Sequence, residues 1–228
     1  MTDDAASATV EGLDEVRERI ATAARAAGRE PSSVTLVVVT KEVDVDRIRV
    51  ALAAGAIELG ENRAQELGAK AAALADAQPA PHWHFIGRLQ RNKVRSVASS
   101  VTLWQSVDRE ELAVEIGARA PGAVVLVQVN VAGEAQKGGC TPGKAAALVE
   151  ACRRHGCAPT GLMTVPPAEG DPRGVFDTLR ALVDRLGLDV CSMGMSGDYE
   201  LAIAHGATMV RVGSAIFGPR HEVANARR

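Results

Sequence analysis

From residue 34 onward the chain alternates between short runs apolar on both faces and longer stretches with helical periodicity. VTLVVVT at 34 to 40 is the strongest such run, and it predicts a strand covered on both sides, as in a parallel sheet. VDVDRIRVALAA has helical spacing and ends at Gly55, a residue suited to the left-handed position that closes a helix. AIELG follows as a short strand, and residues 62 to 77 read as a helix. The unit then repeats. HWHFIG at 82 to 87 precedes a basic helix, and VTLWQSV at 101 to 107 precedes a helix whose Asp108 and Glu111 have N-cap and N3 spacing. VVLVQVNV at 124 to 131 leads through a Gly-rich loop to Thr141 and Pro142, spaced as an N-cap and a first helical residue. GLMTV at 161 to 165, DVCSMGM at 189 to 195 and TMVRVG at 208 to 213 supply three more strands, each followed by a helix-length segment.

Eight strands in regular alternation predict an α/β chain folded as a single (β/α)8 TIM barrel over residues 1–228, its core about 34 to 218. An Ala-rich amphipathic stretch from about Val10 to Ala27 adds an extra N-terminal helix. A doubly wound open sheet also alternates, but it usually has five or six strands and a Gly-rich fingerprint after the first. Here Thr40-Lys41-Glu42 stands at that point, and no linker rich in Pro, Gly or Ser divides the chain.

Composition narrows the partners. The 228 residues carry 26 basic and 28 acidic side chains, and this balance offers neither nucleic acid nor an acidic membrane a basic face. The N-terminus lacks the charged-then-apolar pattern of a secretory signal, and no apolar run approaches the ~18 residues of a membrane span. Cys140, Cys152, Cys157 and Cys191 have no metal-type spacing, so free thiols in the cytoplasm are expected.

The functional groups of such a barrel gather at the C-terminal ends of its strands, with phosphate often held after strands seven and eight. Of the five lysines, Lys41 alone lies directly at the end of a fully apolar strand. Desolvation there would favour a neutral, nucleophilic amine, whereas a lysine that snorkels to water would also fit. Lys137, after strand five, is its rival on the same face. Strand seven ends in Gly194-Met195-Ser196-Gly197, with Ser196 expected at a helix start, and strand eight ends in Gly213-Ser214. Two small-residue turns side by side let backbone N–H groups approach an anion. Arg211 shares a strand face with Gly213 and needs a partner, either a carboxylate such as Glu58 or Glu61 or a ligand atom. His84 faces opposite to Trp83 and Phe85, as a core histidine or a ligand contact.

VVVTK at 37 to 41, GEN at 60 to 62, WHFIG with LQRNK up to 93, GLMTVP at 161 to 166 and GMSGDYELAIAHGATMVRVGSAIFG at 194 to 218 resemble the signature segments of the pyridoxal phosphate homeostasis protein family. The resemblance runs from about Val34 to Gly218, with departures at Thr40, Arg88 and Gly197. It implies a barrel of the alanine racemase type that holds pyridoxal 5′-phosphate (PLP) as a Schiff base on Lys41. It also implies cofactor contacts at Asn62, His84, Met163, Ser196, Gly197, Arg211, Gly213 and Ser214. The implied protein is a cytoplasmic monomer without amino-acid turnover that serves PLP (vitamin B6) homeostasis and amino-acid balance, with apo PLP-dependent enzymes as partners. An arginine at the ring nitrogen can only donate, which weakens the ring as an electron sink, and the single tyrosine, Tyr199, is expected to be packed or solvent-facing rather than a second acid/base. The alternatives are a small PLP-dependent racemase or decarboxylase using Lys41, and a sugar-phosphate enzyme using the same lysine.

Overall fold

The computed structural model describes residues 3–134, 136–167 and 169–218. Eight parallel strands close a barrel in sequence order: β1 Thr35–Val39, β2 Glu58–Glu61, β3 His82–Phe85, β4 Val101–Val107, β5 Val124–Gln128, β6 Ala158–Met163, β7 Val190–Ser192 and β8 Met209–Val212. The closing seam pairs β1 with β8 over four residues, Thr35 with Met209 through Val38 with Val212. Each strand stands where the pattern predicts it, although β6 begins at Ala158, ahead of GLMTV. The expected extent of the domain to residue 228 reaches beyond the described residues.

The helices are α1 Asp3–Ala26, α2 Val45–Ala53, α3 Ala64–Ala73, α4 Glu110–Arg119, α5 Ala145–Arg154, α6 Arg173–Arg185, α7 Tyr199–Ala204 and α8 Ser214–Phe217. α1 starts well before Val10. It buries a stripe of Leu13, Val16, Ile20 and Ala24, and it packs against α2, α7 and α8. Burying its three larger side chains contributes roughly 5 to 9 kcal/mol as an upper estimate. Gly55 closes α2 at φ +80°, the left-handed conformation expected of it.

Other helix starts also differ from expectation. The basic segment after β3 is a 3₁₀ helix, Arg91–Ser96, not an α-helix; Val94 within it and the C-cap Val97, three residues on, are buried on one side, which suits three residues per turn. α4 begins at Glu110 with Arg109 at its N-cap, and the Asp108 carboxylate binds the Arg109 guanidinium at 2.5 Å instead of capping. Thr141 and Pro142 open a 3₁₀ turn, Pro142–Lys144, ahead of α5, and Thr141 makes no cap bond.

Alternation along the strands separates two interiors. Trp83, Phe85, Val38, Val210 and Val212 face the surrounding helices, while Val37, Leu103, Leu126, Met163 and Met209 pack together inside the barrel. All four cysteines are free thiols, and burial pushes Cys152 and Cys191 up to about 12. No described helix is long and apolar enough to cross a membrane. Among the described residues no group of three or more His, Cys, Asp or Glu side chains could hold a metal ion.

Candidate functional site

Lys41 stands two residues beyond β1, half-buried at the C-terminal mouth of the barrel. The register sets its neighbours: Val39 pairs with Gly60, and the Thr40 N–H donates to the Gly60 carbonyl at 2.9 Å, so Asn62 lies on the adjoining strand end. The Asn62 Oδ1 is buried and has no hydrogen-bond partner among the described residues. A buried acceptor of this kind is normally hydrogen-bonded.

A buried charge cluster flanks Lys41 on both sides. Lys70 lies on the inward stripe of α3 with Ala64 and Leu67, and its ammonium donates to the Thr40 carbonyl at 2.6 Å and to Glu61 Oε2 at 2.7 Å. Glu61 is fully buried and also accepts from the Thr40 hydroxyl and the Asn62 N–H. On the other side of Lys41, the Glu42 N–H donates to Glu66 Oε2 at 3.2 Å. Glu42 has φ +62°, a left-handed conformation costing a side-chain-bearing residue roughly 1 to 2 kcal/mol. Burial works to raise the Glu66 pKa, but the Glu42 N–H and Lys70 outweigh it and hold the carboxyl below its usual value. The two residues beside Lys41 are thus tied to one ion cluster. Sequence reasoning passed over Lys70; its signal was a lysine three residues from Leu67 on an otherwise apolar stripe.

The two small-residue turns meet as expected. Ser196 Oγ accepts from the Gly213 N–H at 3.2 Å and the Ala215 N–H at 3.5 Å, joining the loop after β7 to the start of α8, where Ser214 is the first residue. A helix does not start at Ser196 itself: α7 begins at Tyr199, because Asp198 Oδ1 takes the Met195 N–H and the chain turns once more. Gly213 sits so close to β1 that a Cβ there would lie 3.0 Å from the Val39 carbonyl oxygen. A Cβ on Gly197 would meet nothing within 4 Å, so that turn faces open space.

Arg211 is buried in the barrel one layer below the mouth, paired in register with Val37. Neither Glu58 nor Glu61 is its partner. Its guanidinium donates to Ser192 Oγ at 2.6 Å and to the Thr164 carbonyl at 2.7 Å. Desolvation draws its pKa down to about 10, which leaves a cation at neutral pH. His84, expected among the mouth residues, instead faces down the barrel. Its Nε2 lies 2.7 Å from Glu58 Oε2 and its Nδ1 lies 2.7 Å from Gln105 Nε2, while Ser192 Oγ donates to Gln105 Oε1 at 2.7 Å. His84 therefore reaches Arg211 only through Gln105 and Ser192, two residues the sequence did not single out.

Met163 is buried at the end of β6 against the inner barrel cluster. Lys137, the rival to Lys41, donates to the Pro166 carbonyl at 2.5 Å and pairs with Glu134. Tyr199 is packed, 1% exposed, with the Arg19 guanidinium 5.3 Å from its ring centre. A cleft of about 510 Å³ opens at the opposite, N-terminal end of the barrel, lined in part by Glu58, His82, His84 and Met209.

The closed parallel barrel thus carries a lysine after β1 and, after β7 and β8, turns joined through Ser196. The family model described as alanine racemase, N-terminal domain, matches residues 12–221. Within that class the chain belongs to the pyridoxal phosphate homeostasis protein family. It is 42% identical to the pyridoxal phosphate homeostasis protein of Pseudomonas aeruginosa, over 94% of this chain and 96% of that one. The relative of that name in Deinococcus radiodurans is 46% identical over 89% of this chain and 95% of that one. PipY of Synechococcus elongatus, solved with PLP bound, superposes with a TM-score of 0.78 at 32% identity, covering 92% of this chain and 100% of that one. Alanine racemase from Corynebacterium glutamicum is 17% identical, with a TM-score of 0.67 over 94% of this chain and 63% of that one, a likeness of fold alone.

Proposed function

We propose that this protein binds PLP at the barrel mouth through Lys41 and serves PLP homeostasis in the cytoplasm as a monomeric holder and donor of the cofactor, with little or no amino-acid turnover. The residues present fit the group. The turns joined by Ser196 suit a phosphate, the Lys41 amine suits an aldehyde, and the orphaned Asn62 Oδ1 suits a donor at the ring's edge. Bound PLP supplies an aldehyde and an electron-withdrawing ring.

The observation that carries the absence of turnover is the Arg211 environment. Arg211 is a buried cation held by a hydroxyl and a backbone carbonyl, and among the described residues no carboxylate is hydrogen-bonded to it. Of its five N–H groups, those not engaged by Ser192 and Thr164 can only donate, so they favour an unprotonated ring nitrogen. A carboxylate at this position would do the opposite and strengthen the ring as an electron sink. Tyr199 is buried beneath Arg19 and His84 has both ring nitrogens engaged, which leaves neither free as a second acid/base. These features favour holding and transfer over the alternative of a small racemase or decarboxylase.

The test incubates the PLP-loaded protein with common L- and D-amino acids and follows racemisation, decarboxylation and transamination. In parallel, release of PLP to an apo PLP-dependent enzyme is measured. Transfer without turnover is expected; turnover at about 1 per second or faster would overturn the proposal.

A further inference from the structure

We infer that Ser192, Gln105 and His84 are positioning residues that hold the Arg211 guanidinium from beneath through one hydrogen-bonded chain anchored at Glu58. The inference rests on the PLP proposal above, because it gives support to the ring contact that Arg211 would make with bound PLP. The interior of such a barrel is normally filled by branched apolar side chains. Here β2, β3, β4, β7 and β8 each place a polar side chain in one continuous file, Glu58, His84, Gln105, Ser192 and Arg211, with every link 2.6 or 2.7 Å long.

The proton positions along the file follow from its upper end. An arginine can only donate, so the Ser192 oxygen accepts from it and its hydroxyl hydrogen goes to Gln105 Oε1. The Gln105 amide nitrogen is then the donor to His84 Nδ1. His84 consequently carries its hydrogen on Nε2 and donates it to the Glu58 carboxylate. Each donor points the same way, from Arg211 toward Glu58, and such a series strengthens its members.

Glu58 lies at the far end, where it also takes a bond from His82 Nδ1 at 2.9 Å and borders the N-terminal cleft. The amide of Gln105 is bonded at both ends, and its nitrogen makes a third contact, to Met209 Sδ at 3.1 Å, that favours the same orientation. Since no described carboxylate is hydrogen-bonded to Arg211, the Ser192 hydroxyl and the Thr164 carbonyl set the plane of its guanidinium, and the chain below sets the Ser192 hydroxyl. The guanidinium plane decides where its remaining N–H groups aim.

The experiment measures PLP dissociation constants and the visible absorption band of the bound cofactor on the full chain, with folding checked by thermal unfolding. Gln105→Leu keeps the volume and cuts the file in the middle; it is expected to weaken PLP roughly tenfold and to shift the band. In an Arg211→Met background the same substitution should change affinity by no more than about twofold, because the residue it supports is gone. Ser192→Ala is measured in the same two backgrounds and replaces Gln105→Leu if that variant does not fold. Unchanged affinity and band in the Arg211 background would overturn the inference. So would an equal loss with Met at position 211, which would mark a packing defect. If the unsubstituted protein binds no PLP, the functional proposal itself fails, and that outcome is separate from a wild-type site insensitive to Gln105.

Discussion

Lys70→Met keeps the reach of the side chain and removes its charge, directly beneath the loop that carries Lys41. The substitution leaves the fully buried Glu61 carboxylate with only the Thr40 hydroxyl and the Asn62 N–H, and it deprives the Thr40 carbonyl of its 2.6 Å donor. Breaking a buried ion pair from one side costs about 3 to 5 kcal/mol. The two bonds that Glu61 retains place this case at about 3 kcal/mol, near the lower end of that range. For a chain of this size the loss lowers the melting temperature by roughly 6 to 12 °C. Thermal unfolding reads the stability, and amide exchange at residues 40 to 42 reads the loop, which should exchange faster than in the parent. Lys70→Met combined with Glu61→Gln should recover most of the stability, since no unpaired charge remains, but not the protection of the loop. A loss under about 1 kcal/mol, or a double variant no better than the single one, would refute the assignment of Lys70 and Glu61 as a coupled buried pair.

Ser196→Asp puts a carboxylate at the junction of the two turns, where the hydroxyl now meets the Gly213 and Ala215 amides. It should weaken PLP by about 1 kcal/mol or more, roughly fivefold in the dissociation constant by absorbance titration, and unchanged affinity would move the phosphate elsewhere. Glu58 gives a pH-dependent prediction: burial acts to raise its pKa, but the bonds from His84 and His82 outweigh this and hold it below its usual value. A depressed folded pKa contributes stability above the unfolded value, lost as pH falls through the folded one. Urea unfolding between about pH 5 and about pH 3 should therefore show a shallower acid loss for Glu58→Gln than for the parent, and parallel curves would contradict this.

The barrel was legible because its strands are local signals. VTLVVVT, VTLWQSV and VVLVQVNV are runs of β-branched and apolar residues, and each became a strand within a few residues of its predicted bounds. Helix starts were less legible, since Asp108 had a choice between capping and Arg109, and only the fold decides it. The mouth was found in part. Lys41, Asn62, Ser196, Gly213 and Ser214 lie at strand ends, where position in the chain translates directly into position at the mouth. The alternation of Trp83, His84 and Phe85 correctly turned His84 away from its aromatic neighbours, yet could not say how far along the barrel its ring would point. Gln105 and Ser192 are separated by 87 positions, and their bond exists only because the closed barrel turns side chains of β4 and β7 into one lumen. Lys70 was hidden for a related reason: a charged residue on an apolar stripe is explicable only once Glu61 and the Thr40 carbonyl are known to lie opposite.

The central claim is that Lys41 carries the cofactor, and borohydride reduction of the PLP-loaded protein followed by peptide mass mapping tests it most directly. The added cofactor mass is expected on the peptide containing Lys41 and on no other. Finding it on the peptide containing Lys137 alone, or on none, would contradict the account.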